Sequence, residues 1–360
     1  MGAKATSKGA GEPKPKPAPQ GDFYAEMDAA LREEIPDIDD HNSDVKFWLE
    51  SSLDLLNWGV SMDGFPGGKL IEIYGPNATG KTTLGGDLIK KAQALGGGGA
   101  WIDIEHGFSN RLADKYLGID RKTNWRYVKP KNMEEAMGAT EIIAVKAAKR
   151  QLPFVIIWDS VAALVPKNLS IESGVDTLED KTPAVVARAL STFLRRGILD
   201  VIQGTPVFLV MLNQIRKNIP KGGMGPTQIT PGGMAIPFYS SVRIELRKLK
   251  TLENSSKQKL GINVEAEIVK NKVGPPFREA IYPFYFGKAA GVKGLDNFTS
   301  LLSFLAGKGI FVAKSNGRFE YQGANRYIAD WRNLMLADGV FAQEIKAIAK
   351  AQYIAEHGED

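Results

Sequence analysis

The chain has 360 residues, of which 43% are hydrophobic, and its formal net charge at pH 7 is +5. This length exceeds what one compact domain usually needs, and the apolar fraction is sufficient for a sizeable core. No apolar run reaches the roughly 18 residues of a membrane span, the N-terminus lacks the apolar segment of a secretory signal, and cysteine is absent. We therefore expect a cytoplasmic protein without membrane contact, disulfides or cysteine-based zinc sites.

The N-terminal region divides into two segments of opposite charge. Residues 1–21 contain four lysines and are rich in Pro, Gly and Ala, a composition that buries too little apolar surface to fold and predicts a disordered tail. Residues 22–46 are acidic and predict a helix followed by a linker. One face of this helix collects the apolar residues Phe23, Met27, Ala30 and Leu31. The pattern leaves open whether that face docks on its own core or on a neighbouring subunit.

Strand and helix patterns alternate between residues 47 and 290. The strand candidates are Leu70–Tyr74, Ala100–Ile104, Phe154–Trp158, Val207–Leu212, Val242–Leu246 and Val264–Val269. Several are continuous apolar runs, which are typical of parallel strands covered by helices on both faces. Helical patterns near 81–95, 132–150 and 183–203 separate the first four strands. We predict a doubly wound α/β core with a central, mostly parallel sheet, and a small α/β C-terminal domain over residues 291–360.

A phosphate-binding loop follows the first of these strands, in the stretch LIEIYGPNATGKTTLGGDLIKKAQ at residues 70–93. It fits the pattern G-x-x-x-x-G-K-[ST], whose backbone N–H groups and following helix N-terminus hold phosphates. Lys81 is placed to contact the β- and γ-phosphates, and the Thr82 hydroxyl to bind Mg²⁺. The predicted nucleotide contacts are Gly75, Pro76, Asn77, Ala78, Thr79, Gly80, Lys81, Thr82 and Thr83.

Three other strand ends carry polar side chains suited to ATP hydrolysis. Asp159 ends the strand VIIWD and is suited to hold a Mg²⁺-bound water beside the phosphate loop. Glu105, after the strand AWID, is a candidate general base for the water that attacks the γ-phosphate. Gln214, after VFLVMLN, is suited to orient that water or to sense the γ-phosphate.

Two long segments leave the same predicted edge of the sheet, at residues 166–182 and 215–233. Loops of this length in a compact domain are usually functional, and the second contains Arg216, Lys217 and Lys221. The pattern indicates a polyanion whose binding is coupled to ATP. On the residues alone, the lids of a metabolite kinase are the alternative.

Taken together, these stretches resemble the bacterial RecA family of homologous-recombination ATPases. The matching segments, in the family's order, are IEIYGPNATGKTTL, WIDIEHG, WDSVAALVPK, LNQIRKNI, GGMAIPFYSSVRIELRK and VKNKVGPPFREA. The resemblance covers about residues 47–290 and continues more weakly through GRFEYQGANRYIADW. It implies a RecA-like P-loop NTPase that binds ATP and Mg²⁺. It also implies that subunits form a helical filament on single-stranded DNA and exchange strands with double-stranded DNA.

The resemblance also implies roles at the DNA and at the subunit interface. The DNA-binding positions are Arg188, Arg216, Lys217, Asn218, Lys221, Gly222, Gly223, Gly232 and Gly233. Lys270 and Lys272 match lysines that act on the ATP of a neighbouring subunit, and Phe238 matches an interface aromatic. The helix that contains Phe23 and Met27 would then pack on the adjacent subunit.

The chain departs from the family pattern where the base of the nucleotide would lie. The family's Asp-Pro and adenine-stacking Tyr are replaced by Ser109, Asn110 and Leu112. These departures fit a phage-encoded or otherwise divergent member. Two alternatives remain within the same fold: a hexameric DNA helicase, and a DNA-binding recombination accessory protein that does not exchange strands.

Overall fold

The computed structural model describes residues 20–34, 44–167, 178–217, 228–289 and 292–358. By their contacts, the residues fall into two units, one within 1–44 and the other within 45–360. The first contains helix α1 (Gln20–Glu34), which begins two residues before the predicted segment. Residues 1–19 of the predicted tail and residues 35–43 of the predicted linker lie outside the described residues. Among the helices described, none combines the length and hydropathy that a bilayer crossing requires.

A nine-stranded sheet organises the second unit. Its strands are β3 (Leu70–Gly75), β4 (Gly98–Asp103), β5 (Trp125–Val128), β6 (Phe154–Asp159), β7 (Val207–Gln214), β10 (Val242–Glu253), β11 (Lys259–Asn271), β12 (Glu279–Ala289) and β13 (Val292–Leu295). Their order is β13-β12-β11-β10-β3-β7-β6-β4-β5. The six strands from β10 to β5 in that order pair in parallel, and β11, β12 and β13 continue antiparallel. A separate short pair joins β1 (Trp48–Leu49) to β2 (Phe65–Pro66).

All six predicted strands are present, and the predicted doubly wound core is confirmed. Helices α2 (Asp54–Val60), α3 (Lys81–Ala94), α4 (Met133–Ala148), α5 (Leu178–Phe193), α6 (Leu199–Ile202) and α7 (Ala235–Tyr239) accompany the sheet. Alternate side chains of β3, β4, β6 and β7 enter two different buried clusters, one shared with α3 and the other with α4 and α5. Within β6, for example, Ile157 packs with the α3 side and Ile156 with the α4 side. This alternation explains the continuous apolar runs of these strands, because both of their faces are covered.

The structure corrects the bounds of the first long loop. Helix α5 begins at Leu178, so residues 178–182 are helical. The sequence pattern placed the start of this helix near residue 183, whereas the backbone is already helical from Leu178. In the second loop, β8 (Arg216–Lys217) pairs antiparallel with β9 (Gln228–Ile229) and forms a short ribbon.

The C-terminal residues combine helices with a small sheet, as predicted. The elements are α8 (Asn297–Gly307), β14 (Val312–Ala313), β15 (Arg318–Tyr321), β16 (Ala324–Tyr327), α9 (Ile328–Ala337) and α10 (Gly339–His357). Strands β14, β15 and β16 form an antiparallel sheet, and Tyr321 and Trp331 pack around Phe311. Because β13 pairs with β12 of the main sheet, a domain boundary near residue 290 stays a prediction.

A buried ion pair joins α9 to the start of α8 and predicts a stability effect. Asp296 accepts a hydrogen bond from the Thr299 backbone at 3.1 Å, and Arg332 donates to both of its carboxylate oxygens at 2.8 Å. Arg332→Ala should lower the free energy of unfolding by about 3 kcal/mol, because it leaves a buried carboxylate without its partner. Denaturant unfolding followed by circular dichroism measures this loss. As a control, Lys314→Ala removes an exposed pair with Glu320 and should cost less than about 1 kcal/mol; equal losses would contradict the prediction.

Candidate nucleotide site and its surroundings

The phosphate-binding loop has the strand–turn–helix context that its sequence predicts. It connects the last residue of β3 to the first residue of α3. A Cβ atom on Gly75 would lie 2.3 Å from the carbonyl oxygen of Leu246, and Gly80 has φ 91°. The loop therefore requires glycine at both positions, for close approach at one and a left-handed backbone at the other. The buried Thr79 hydroxyl donates to the Pro76 carbonyl at 2.9 Å and closes the turn.

Lys81 lies over this loop. Its ammonium group donates to the carbonyl oxygens of Gly75 and Pro76, both at 2.8 Å. Burial lowers the pKa of Lys81, while the nearby Asp159 and Glu105 carboxylates act in the opposite direction. The Lys81 ammonium group is therefore held against the loop, in a position to contact a bound phosphate group.

The parallel register brings the other predicted strand ends to the same edge of the sheet. Asp159 is the neighbour of Asp103 across β4 and β6, and Gln214 is the neighbour of Gly75 across β3 and β7. The Thr82 hydroxyl donates to Asp159 at 3.2 Å. The structure thus brings the loop, the strand-end acid and the strand-end amide together.

Asp159 has an environment that favours a bound cation. Burial, and then the charge of Glu105, raise its pKa from 3.8 to about 7; Asp103 acts in the same direction, while the Thr82 hydrogen bond and Lys81 oppose the shift. A carboxyl group whose ionisation costs this much gains from any positive charge placed beside it.

Glu105 is held by two side chains, one at the end of β7 and one directly after β6. Its Oε1 atom accepts a hydrogen bond from Gln214 Nε2 at 2.6 Å and another from the Ser160 hydroxyl. Sequence reasoning missed Ser160, although its position directly after the strand-end acid was a usable signal. The contact between Glu105 and Gln214 joins the candidate general base to the candidate γ-phosphate sensor.

Asp103 fixes the loop that carries Glu105, a role that sequence reasoning also missed. Its buried carboxylate accepts hydrogen bonds from the backbone of Gly107 at 3.2 Å and Phe108 at 3.1 Å, and from the Tyr127 hydroxyl at 2.8 Å. The Phe108 ring stacks on Tyr127 with centroids 5.6 Å apart. The two contacts of Tyr127, with Asp103 and with Phe108, do not follow from spacing in the sequence, because Tyr127 belongs to β5, which was not predicted.

The residues that replace the family's adenine contacts lead into a π-helical turn, Leu112–Leu117. The Leu112 backbone donates to the Ser109 hydroxyl at 3.1 Å. Further along this turn, the ammonium of Lys293 lies 4.1 Å from the centre of the Tyr116 ring.

Lys270 and Phe238, two of the predicted interface residues, meet in the structure. The Lys270 ammonium donates to the Pro237 carbonyl at 2.6 Å and to the Phe238 carbonyl at 2.9 Å, at the end of α7. Burial lowers the pKa of Lys270, and the charges of Lys272 and Arg243 add to this effect. The Phe238 ring is 66% exposed.

The predicted DNA-binding positions are spread over several elements. Gly232 and Gly233 have positive φ values, and a Cβ atom on Gly233 would lie 2.8 Å from the Ala187 side chain, so this turn packs closely on α5. Arg188 lies on α5 beside a groove of about 480 Å³ whose other lining residues include Glu141 of α4. Arg216 and Lys217 belong to β8. Asn218, Lys221, Gly222 and Gly223 lie outside the described residues.

Comparison with known proteins gives a result that matches this geometry. The family model for the RecA N-terminal domain matches residues 33–292. The chain belongs to the RecA family. It is 34% identical over 309 residues to Protein RecA of Wolinella succinogenes, covering 85% of this chain and 84% of that protein. It is 35% identical over 291 residues to Protein RecA of Helicobacter hepaticus, covering 80% of each. The RecA resemblance and the predicted RecA-like α/β fold class are thereby confirmed.

The raised pKa of Asp159 predicts a pH-dependent stability in this RecA-family chain. Because the folded pKa of about 7 exceeds the ordinary 3.8, Asp159 favours folding when protonated and loses that benefit as pH rises towards 7. In nucleotide-free protein with a metal chelator, Asp159→Asn should match the wild type near pH 4 and be more stable at pH 8. The gain should be on the order of 4 kcal/mol, since the pKa of Asp159 is raised by about three units and one unit corresponds to about 1.4 kcal/mol.

Thermal unfolding of both proteins across this pH range measures the difference. Adding Mg²⁺ at pH 8 should reduce the advantage of the variant. A gain of equal size at every pH would contradict the assigned pKa.

Proposed function

We propose that the chain is an ATP-dependent DNA recombinase and DNA-dependent ATPase of the cytoplasm that acts in DNA recombination and repair. Subunits polymerise as a helical filament on single-stranded DNA, pair it with homologous double-stranded DNA and exchange strands. The observation that carries this proposal is the contact between Glu105 and Gln214. It joins a hydrolytic group to the strand that continues into the segment 215–233, the proposed DNA-binding loop. The relatives named Protein RecA support the same assignment.

The residues at the loop fit a magnesium nucleotide. The Thr82 hydroxyl and the Asp159 carboxylate are hard oxygen donors of the kind that Mg²⁺ prefers, and they already touch each other. When bound, Mg²⁺ supplies charge neutralisation at the β- and γ-phosphates. Lys81 binds the phosphates, and Glu105 takes the proton of the attacking water that Gln214 orients.

The proposed filament places part of each ATP site on the neighbouring subunit. Phe238 and Met234 expose 66% and 77% of their surfaces beside the end of α7, and large exposed apolar side chains are typical of contact surfaces. Lys270 and Lys272 would act on the neighbour's ATP from this surface, and α1, with Phe23 and Met27, would dock on an adjacent subunit. Nucleotide state would then control polymer geometry.

DNA recognition in this proposal needs no reading of individual bases by the protein. The contacts proposed for Arg188, Arg216, Lys217, Asn218, Lys221, Gly222, Gly223, Gly232 and Gly233 go to the DNA backbone, which positions a strand without specifying its sequence. Homologous pairing between the strands supplies the sequence test. A basic, partly glycine-rich segment suits single-stranded DNA for this reason.

The test of the proposed function is a D-loop assay. Purified protein, ATP, Mg²⁺ and single-stranded DNA should form joint molecules with a homologous duplex and none with a heterologous duplex. Lys81→Ala should abolish the product, because it removes the cation at the loop. Closed rings that unwind forks without pairing homologues would instead identify a hexameric helicase. DNA binding with neither activity would identify an accessory protein.

Glu105→Gln should separate nucleotide binding from hydrolysis. The amide keeps the size of the side chain but cannot take a proton, so DNA-stimulated ATP hydrolysis should fall by a factor of about 10² or more. ATP binding and filament assembly should persist, because Lys81 and Thr82 are unchanged. Hydrolysis rates and electron microscopy of ATP-bound filaments measure the two properties. Hydrolysis at the wild-type rate would exclude Glu105 as the base.

A further inference from the structure

A buried polar cluster lies next to the nucleotide edge of the sheet, outside the residues assigned above. Its centre is Glu72 of β3, and its second member is Asn213 of β7; both side chains are fully buried. Burying an ionised carboxylate is costly unless hydrogen bonds and an opposite charge compensate. Apolar residues of similar volume often stabilise a fold as well as a buried ion pair does, or better. Stability alone therefore does not account for this cluster, and we considered a functional role.

Asn213 connects three parts of the chain through one amide group. Its Nδ2 atom donates to Glu72 Oε1 at 2.9 Å and to the Pro231 carbonyl at 2.9 Å. Its Oδ1 atom accepts from the backbone N–H of Gln214 at 3.0 Å. The amide therefore ties Gln214 to β3 and to the point where the segment 215–233 returns to the core.

Glu72 extends the connection in the opposite direction, towards the interface lysines. Its Oε2 atom accepts from Arg243 Nε at 2.6 Å, in an ion pair with little solvent exposure. The Arg243 guanidinium lies 4.8 Å from the centre of the Tyr74 ring, which limits its orientations. In the sheet register, Arg243 of β10 stands between Glu72 and Lys270. Both charges act on the Lys270 ammonium.

We propose that Asn213 is a positioning residue that links Gln214 to the Glu72–Arg243–Lys270 row. Through it, the state of the subunit's own nucleotide is transmitted across β7, β3, β10 and β11. The inference rests on the proposed function, in which Gln214 contacts the γ-phosphate and Lys270 serves a neighbour's ATP. It adds a route between the two sites that lies inside one subunit and does not pass through DNA.

The mechanical argument follows from the geometry of the amide. Gln214 Nε2 contacts Glu105 and Gln214 N contacts Asn213 Oδ1, so a shift of Gln214 towards a γ-phosphate pulls on the bond to Asn213. The same amide group binds Glu72 and Pro231, and a close-packed interior transmits displacement rather than absorbing it. The Lys270 ammonium and the end of the segment 215–233 then respond to the same event.

The test uses the full chain and two asparagine variants of matched chemistry. Asn213→Ala removes the link. Asn297→Ala is the control, because Asn297 also binds one backbone N–H and one carboxylate, those of Asp54, at 2.8 Å each, far along the chain from β7. Amide hydrogen exchange is measured by mass spectrometry, with and without Mg²⁺ and a non-hydrolysable ATP analogue. The segments compared are 75–83 at the phosphate loop and 235–241, whose carbonyls receive Lys270.

The wild type and Asn297→Ala should show nucleotide-dependent exchange changes in both segments. Asn213→Ala should keep the change at 75–83 and lose it at 235–241. Its DNA-stimulated kcat should fall about tenfold with little change in KM for ATP, as expected when a catalytic group is misplaced. Glu72→Gln keeps an acceptor for Asn213 but replaces the acceptor for Arg243 with an NH2 donor, so the bond to Arg243 is lost; it should show the same loss at 235–241.

An unchanged response at 235–241 in either variant, or none there in the wild type, would overturn the inference. A failure of the proposed function can be distinguished from a failure of this inference. A wild type whose 235–241 response depends on Asn213, but which forms no joint molecules, would support the link and refute the recombinase.

Discussion

The parallel register of β3, β7, β6 and β4 is the constraint on which the site depends. It brings the carboxyl ends of four strands to one edge, so that residues far apart in the chain become neighbours. Successive side chains of a strand point to opposite faces. A slip of one residue between β7 and β3 would therefore exchange the surroundings of Asn213 and Gln214 and separate Gln214 from Glu105. The two buried clusters on either side of the sheet oppose such a slip, because the apolar residues that the displaced strand contributes to them would change faces.

This edge of the sheet carries more negative than positive charge. The carboxylates of Asp103, Glu105 and Asp159 differ in how their charges are stabilised. Asp103 is satisfied by two backbone N–H groups and the Tyr127 hydroxyl. Glu105 is held by Gln214 and Ser160. Asp159 has the Thr82 hydroxyl and the field of Lys81, and its pKa rises to about 7. The uncompensated charge is thus concentrated on the side chain that the proposed Mg²⁺ would meet, which couples metal binding to proton release.

The fold was predictable where strands are continuous apolar runs, as in β6 and β7, because burial on both faces leaves a strong signal. Strand β12 gave a weak one, since Pro283 interrupts it and proline argues against a strand interior. At the site, strand-end position and the phosphate-loop pattern pointed to Lys81, Asp159, Glu105 and Gln214. The partners of these residues were not predictable in the same way. Tyr127 meets Asp103 only through a tertiary contact between β4 and β5, and Glu72 resembles any polar residue inside an apolar strand until its neighbours are known.

Strand β7 has a mechanical position that follows from these contacts. Its last two residues face opposite ways, with the Gln214 side chain on Glu105 and the Asn213 side chain on Glu72. Beyond them the chain leaves the sheet and returns at Pro231, which Asn213 also binds. A movement at this strand end would therefore displace both Glu105, the proposed general base, and the base of the proposed DNA loop. Because both ends of this loop are tied to one amide, DNA bound in the loop as proposed and nucleotide bound at the edge as proposed would act on the same hydrogen bonds. Any coupling between them would be reciprocal by thermodynamic linkage.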